Sequence, residues 1–168
     1  MREVARRAGV SAGALYQWFA GKDEIYAELY TTRLNEGTAA LETLPVDTSL
    51  EALLTSAFRW VRTTWTDLGR WQLEFAEISR TRETSDALTT LRESHERLTQ
   101  TAVRRLHERA GAAGRRVTVD DATAADLIWG TATGIAMRSE VLQLSDESYD
   151  RMLAAAVDSV IAGITESA

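Results

Sequence analysis

An all-α fold follows from three features of the sequence. Apolar residues recur at helical spacing almost throughout the chain. No segment sustains the alternation of apolar and polar residues that a half-buried strand needs. Proline occurs once, at Pro45, and the ten glycines stand mostly where helices would end. With 168 residues, 45% of them hydrophobic, the chain is long enough to bury a sizeable core without covalent staples.

The elements are predicted in order from these signals. A short helix runs from Arg2 to Ala8, and Gly9-Val10-Ser11 turns the chain. A second short helix covers Ala12 to Phe19. Gly21 breaks it, and a longer helix spans Lys22 to Thr43. Pro45 and the Asp47-Thr48-Ser49 cluster end that helix and cap the next, Leu50 to Thr66. Asp67 is read as starting a separate helix that ends near Thr81. A charged helix follows from Thr84 to Ala110, and Gly111 to Gly114 interrupt the chain. Helices over Asp120 to Leu144 and Asp146 to Glu166 complete the set, with Ser145 as the cap of the last.

Composition narrows the function classes. There is no cysteine, which excludes disulfides, thiolate nucleophiles and zinc–thiolate centres. No apolar run approaches the ~18–20 residues of a membrane span, and no apolar signal core opens the chain. A cytoplasmic protein is expected. His95 and His107 share no metal-ligand spacing with an acid, so no metal is expected. A phosphate-cradling glycine loop and a Gly-x-Ser-x-Gly elbow are also missing, which leaves neither an enzyme nor a cofactor site to expect. The net charge of −6 is unevenly spread: the first 22 residues hold Arg2, Arg6, Arg7 and Lys22 against Glu3 alone. A basic head on an acidic body suits contact with a polyanion at one end.

The head reads as a helix-turn-helix. Val4, Ala5 and Ala8 share a face of the first helix, Gly9 suits a left-handed turn, and Val10 fills the angle between helices. Ser11 can cap the second helix. Leu15 and Phe19, four apart, share its buried face. That leaves Ala12, Gly13, Ala14 and Gln17 outward, and small outward residues let a helix approach base edges in a major groove. The Tyr16 hydroxyl can reach a phosphate. Lys22, at the start of the next helix, can hold one with its charge and the free amides beside it.

The run from Arg2 to Glu24, with Ala8-Gly9-Val10-Ser11, then Leu15-Tyr16, Phe19 and Lys22-Asp23, resembles the TetR (tetracycline-repressor-like) family. The resemblance covers residues 2–29. It implies that Ala12, Gly13 and Ala14 face bases or nearby backbone, that Tyr16 and Trp18 pack on phosphates, and that Lys22 binds one. Arg2 would reach a base or phosphate, and Ser11 would cap or bond a phosphate. Trp18 stands where the family often has His, so an indole N–H replaces a polar ring contact. The family also carries a helix of about twenty residues ahead of this motif, and Met1 occupies the place of its usual Thr cap. The resemblance divides the chain into residues 1–28, a helix-turn-helix domain short of that first helix, and residues 29–168, a helical ligand-binding and dimerisation domain.

In that second part, Phe58, Trp60, Trp65, Trp71, Phe75 and Trp129 are close enough in sequence either to fill a core or to line a pocket. Glu74, Glu77, His95, Arg59, Arg62 and Arg70 are the polar residues nearby. An inward Glu74 or Glu77 would favour a cationic aromatic ligand, and outward ones a neutral hydrophobic ligand. The charged stretch from Arg80 to Arg109 suits an exposed helix with ion pairs. Small residues along the last two helices, with Ala125, Trp129, Ala132, Gly134, Ala155 and Val160 as the candidate contacts, would let two copies form a four-helix interface. The resemblance therefore implies a homodimeric repressor released from a palindromic double-stranded operator by a small-molecule effector, with no membrane partner. The competing expectation is a helical small-molecule-binding or interaction protein that does not bind DNA.

Overall fold

The computed structural model describes residues 1–81 and 86–168, with side chains over 1–65 and 86–168. Seven helices lie among them: α1 Arg2–Ala8, α2 Ala12–Trp18, α3 Lys22–Thr43, α4 Leu50–Thr81, α5 Asp86–Ala112, α6 Asp121–Val141 and α7 Asp146–Ile164. The all-α expectation holds.

Local chemistry explains most of the boundaries. Ser145 caps α7 by accepting from the Ser148 amide, and Asp120 caps α6 by accepting from the Thr123 amide. Two cations from α5 tie down the carbonyls near the end of α3. Arg105 donates to the carbonyls of Leu41 and Glu42 at 3.1 and 2.6 Å. The buried Arg109 donates to those of Val46 and Pro45 at 2.5 and 3.2 Å. The charged stretch of α5 is thus more than a solvated face, because two of its arginines supply partners that the end of α3 lacks.

Two expectations are corrected. The helices foreseen over 50–66 and from Asp67 are one continuous helix, α4. A cap contributes only about 1 kcal/mol, which is too little to interrupt a helix whose apolar residues stay in phase from Leu50 through Leu54, Phe58, Val61 and Trp65. The chain also ends in strand rather than helix. β1 Arg115–Val117 pairs antiparallel with β2 Thr165–Ser167, in the register Arg116 opposite Glu166. Gly114, at φ 66°, turns the chain into β1. Strands of three residues are too short for period-two patterning to show.

Two apolar clusters form the interior. One joins α4, α6, α7 and the end of α5 through Phe58, Leu106, Tyr149, Leu153 and Ile164. The other joins α3, α4 and α5 through Tyr30, Leu34, Leu53, Leu91 and Leu98. Trp60 and Trp129 pack against both clusters and so mark the seam between them. The fully buried Tyr149 donates its hydroxyl to the Phe58 carbonyl at 3.3 Å, and the Arg62 guanidinium lies 3.9 Å above its ring.

Candidate nucleic-acid interface and apolar cavity

At the N-terminus, α1 and α2 form the expected helix-turn-helix. Gly9 takes the left-handed conformation (φ 69°, ψ 23°), and the Val10 amide donates to the Ala5 carbonyl at 3.0 Å. This is the glycine-based ending that lets a helix reverse tightly. Ser11 accepts from the Ala14 amide at 3.0 Å and starts α2. Phe19 leaves the helix in an extended conformation. Glu24, in the first turn of α3, reaches back to the Ala20 amide at 2.7 Å, a variant of the capping-box contact. One carboxylate thereby fixes the angle at which α3 follows the head.

The outer face of α2 carries Gly13, Tyr16 and Gln17 at helical spacing, and all three are exposed. Tyr16 is 56% and Trp18 80% exposed. Arg2, Ser11 and Lys22 are exposed as well. Ala12 and Ala14 are half-buried, a departure from the expectation that both look outward with Gly13. Val10, expected to fill the inter-helix angle, stays 45% exposed, while Ala5, at 2%, takes the interior place. Glu3 is committed locally. It binds Arg6 and Arg7, and those guanidiniums, Arg6 first, hold its carboxyl below the usual range. The single carboxylate engages two of the four cations, so the head stays net positive, and Arg2 and Lys22 stand before and after α2 in the chain.

Among the described residues, a nearly wholly apolar cavity of about 110 Å³ opens at the seam between the two clusters. Gly37, Leu41 and Leu44 of α3 form one side; Phe58 and Trp60 of α4 and Trp129 of α6 form much of the rest. Leu98 of α5 and Ile128 of α6 add to it, and among the described residues Ser56 brings the single hydroxyl and no charged side chain lines it. A water needs roughly 10–15 Å³ and several polar partners, whereas an apolar cavity on the order of 150 Å³ stays dry and accepts benzene. This one has the size and chemistry of the second kind.

Of the predicted pocket residues, the fold brings Phe58, Trp60 and Trp129 together. Trp65 is buried in the core next to them and does not line the cavity. The side chains of Trp71, Glu74, Phe75, Glu77 and Arg70 lie outside the described residues. Arg59 and Arg62 are engaged elsewhere, with Asp150 and Asp146 of α7 at 2.9 and 3.1 Å. His95 sits behind the wall. Its ring meets Trp129 edge-on, with centroids 5.3 Å apart, and it faces a separate polar groove with Tyr30, Arg92, Glu96, Gln100 and Asp126. Burial holds the His95 pKa below its ordinary value and pushes the Tyr30 hydroxyl up to about 12. Gly37, Leu41, Leu98 and Ile128 were not foreseen. Their apolar spacing is that of any core helix, and only the fold shows that they face a void.

The candidate interface residues of the last two helices separate. Ala132 and Val160 are buried inside the chain at 1% and 7% exposure, packed in the first cluster, so they cannot also form a surface. Trp129 and Ala125 are half-buried on the cavity and the polar groove. Gly134 is half-buried with open space at its Cα, and Ala155 is exposed. Leu127, Met137 and Val141 of α6, at 45%, 44% and 75% exposure, form an exposed apolar face not among the contacts expected from sequence. No helix among the described residues is long and apolar enough to cross a membrane.

Comparison with known proteins agrees with the head. Residues 1–29 match the family described as bacterial regulatory proteins, tetR family. No curated protein matches the chain. The match coincides with α1, α2 and the first part of α3, and it includes the capped turn at Gly9-Val10-Ser11 and the exposed face of α2. Residues 1–29 are thus similar to the DNA-binding helix-turn-helix of the tetR family of bacterial regulatory proteins.

Proposed function

We propose that the chain is a homodimeric transcriptional regulator, acting in the cytoplasm, whose grip on a palindromic operator is released by a small neutral, hydrophobic or aromatic molecule. The observation that carries the reading is the position of the apolar cavity. One side of it is α3, the helix that begins at Lys22 directly after the helix-turn-helix. A ligand in the cavity therefore touches the element that positions the head. The described lining favours a neutral ligand, since it offers two indoles and no charge.

In this reading Gly13 and Gln17 meet the major groove. Arg2, Ser11, Tyr16, Trp18 and Lys22 meet phosphates, and Ala12 and Ala14 permit close approach. The exposed apolar face of α6, with Gly134 and Ala155 beside it, pairs with the same face of a second copy. Two-fold symmetry then sets two recognition helices roughly 34 Å apart, one turn of DNA.

The test is a gel-shift titration of the full chain on the duplex upstream of its own gene, at low salt, with and without toluene as the cavity probe. A shift that toluene weakens is expected. Tyr16→Ala and Lys22→Ala should weaken binding to every sequence, and Lys22→Ala should also lower the salt slope by about one phosphate contact. No shift by the full chain would overturn the reading. Toluene binding without any shift would favour a helical ligand-binding protein that leaves DNA alone.

A further inference from the structure

Among the described glycines, Gly37 is the one where an added Cβ would collide with another residue. The atom would lie 2.7 Å from Cζ2, 2.9 Å from Cε2 and 3.1 Å from Cη2 of Trp60, all in the six-membered ring of its indole. The ring therefore rests directly on the backbone of α3, and both residues line the cavity. The bare backbone at position 37 is what allows the indole to lie back against α3 and leave the space open.

The neighbours of Gly37 decide which partner yields when this contact is pressed. Leu34 and Leu41, one turn to either side, are buried in the α3–α4–α5 cluster. They hold this stretch of α3 as a rigid unit, with no side chain at position 37 to absorb a push. Trp60 is only partly buried and borders empty space. A Cβ at position 37 would press ring and helix apart, the ring into the cavity and α3, as one unit, away from it. An occupant of the cavity would drive the ring the other way, onto α3. At about 1.5 Å per residue, Gly37 stands roughly 22 Å along the helix from Lys22, so a small tilt there is magnified at the head.

We infer that Trp60 is the element through which a cavity occupant acts on α3, and that Gly37 fixes both the usable size of the cavity and the tightness of that coupling. The inference rests on the effector reading above and adds the residues that transmit the signal. Its test separates the two claims. The chain has no cysteine, so cysteines placed at the exposed Asn35 of α3 and Ser159 of α7 can carry a spin-label pair. Pulsed electron resonance then measures the distance between the two helices. Calorimetry with toluene measures the cavity.

Gly37→Ala should weaken toluene binding at least tenfold. It should also shift the unliganded label distance toward that of the toluene-saturated parent. Trp60→Phe removes the second ring, so Gly37→Ala added to Trp60→Phe should change toluene affinity less than threefold and leave the distance alone. Equal effects of Gly37→Ala in both backgrounds, or none in either, would overturn the inference. If Gly37→Ala alone fails to fold, recovery of cooperative melting in the double variant supports the contact, and failure to recover refutes it. A parent that ignores toluene defeats the effector reading, while the Gly37–Trp60 coupling is still decided by the unliganded distances.

Discussion

The head and the body use the same residue types to opposite ends. In α1 and α2 the largest rings stand in solvent, with Trp18 80% and Tyr16 56% exposed, and Ala5 is the single buried side chain. In α3 to α7, Phe58 and Tyr149 are at 0% exposure and Trp65 at 8%. A body that buries its aromatics stabilises itself. A head that displays them has placed its apolar surface where a partner can cover it. The contrast teaches that folding energy resides in the body, while the head is held by caps and a turn.

Core truncation should give the largest break between the two. Phe58→Ala removes a fully buried ring and should lower unfolding free energy by about 3–5 kcal/mol. Trp18→Ala should change it by no more than about 0.5 kcal/mol. Urea unfolding followed by far-ultraviolet circular dichroism compares the two through their midpoints, provided the slopes match. A Trp18→Ala loss as large as that of Phe58→Ala would show that the head is part of the core after all.

The same contrast explains what was legible in the sequence. The helix ends and the turn of the head were readable, because Gly9 and Ser11 act over a single turn of chain, but the burial of Val10, Ala12, Ala14, Leu15 and Phe19 was not. Ser145, Asp120 and the α3 boundaries were readable for the same reason. Features formed between distant residues were not. The strand pair joins Arg116 to Glu166 across 50 residues, and Arg109 reaches Val46 across 63. The continuity of α4 was hidden by Asp67, a local signal too weak to interrupt a helix already in apolar phase from Leu50 to Trp65. The aromatics were expected either to fill a core or to line a pocket, and Phe58, Trp60 and Trp129 meet at the cavity. Nothing in the spacing of Trp65 distinguished it from them, because a core side chain and a cavity-lining one have the same polarity. Gly37 was invisible for the converse reason, since its role is to be absent at one point of contact.

A smaller effect sharpens the claim that the head is held locally. Ser11→Ala removes the acceptor for the Ala14 amide and should cost α2 about 1 kcal/mol. Because α2 has no buried residue, this loss should appear as local opening. Hydrogen exchange at the Phe19 amide, which donates to the Leu15 carbonyl, should accelerate roughly fivefold, the factor that corresponds to about 1 kcal/mol. The urea midpoint of the body should stay where it was. A shifted midpoint would mean that head and body unfold together.

The smallest expected effect belongs to the body alone and depends on pH. Burial against Trp129 lowers the pKa of His95, so the folded chain takes up its proton less readily than the unfolded chain does. The groups facing it across the polar groove, Arg92, Glu96 and Asp126, are mostly exposed and screened. The stability tied to neutral His95 is complete above the unfolded value near 6.5 and is lost as pH falls through the lower folded value. His95→Gln should therefore flatten the fall of the urea midpoint between pH 7 and pH 5, with the carboxylates common to both chains titrating alike. Equal slopes would place the acid sensitivity elsewhere. Because His95 touches Trp129 and not the helix-turn-helix, Ala14 exchange, corrected for its intrinsic pH dependence, should be the same in both chains. A difference there would carry the cavity wall's protonation into the head and join the two regions that packing keeps apart.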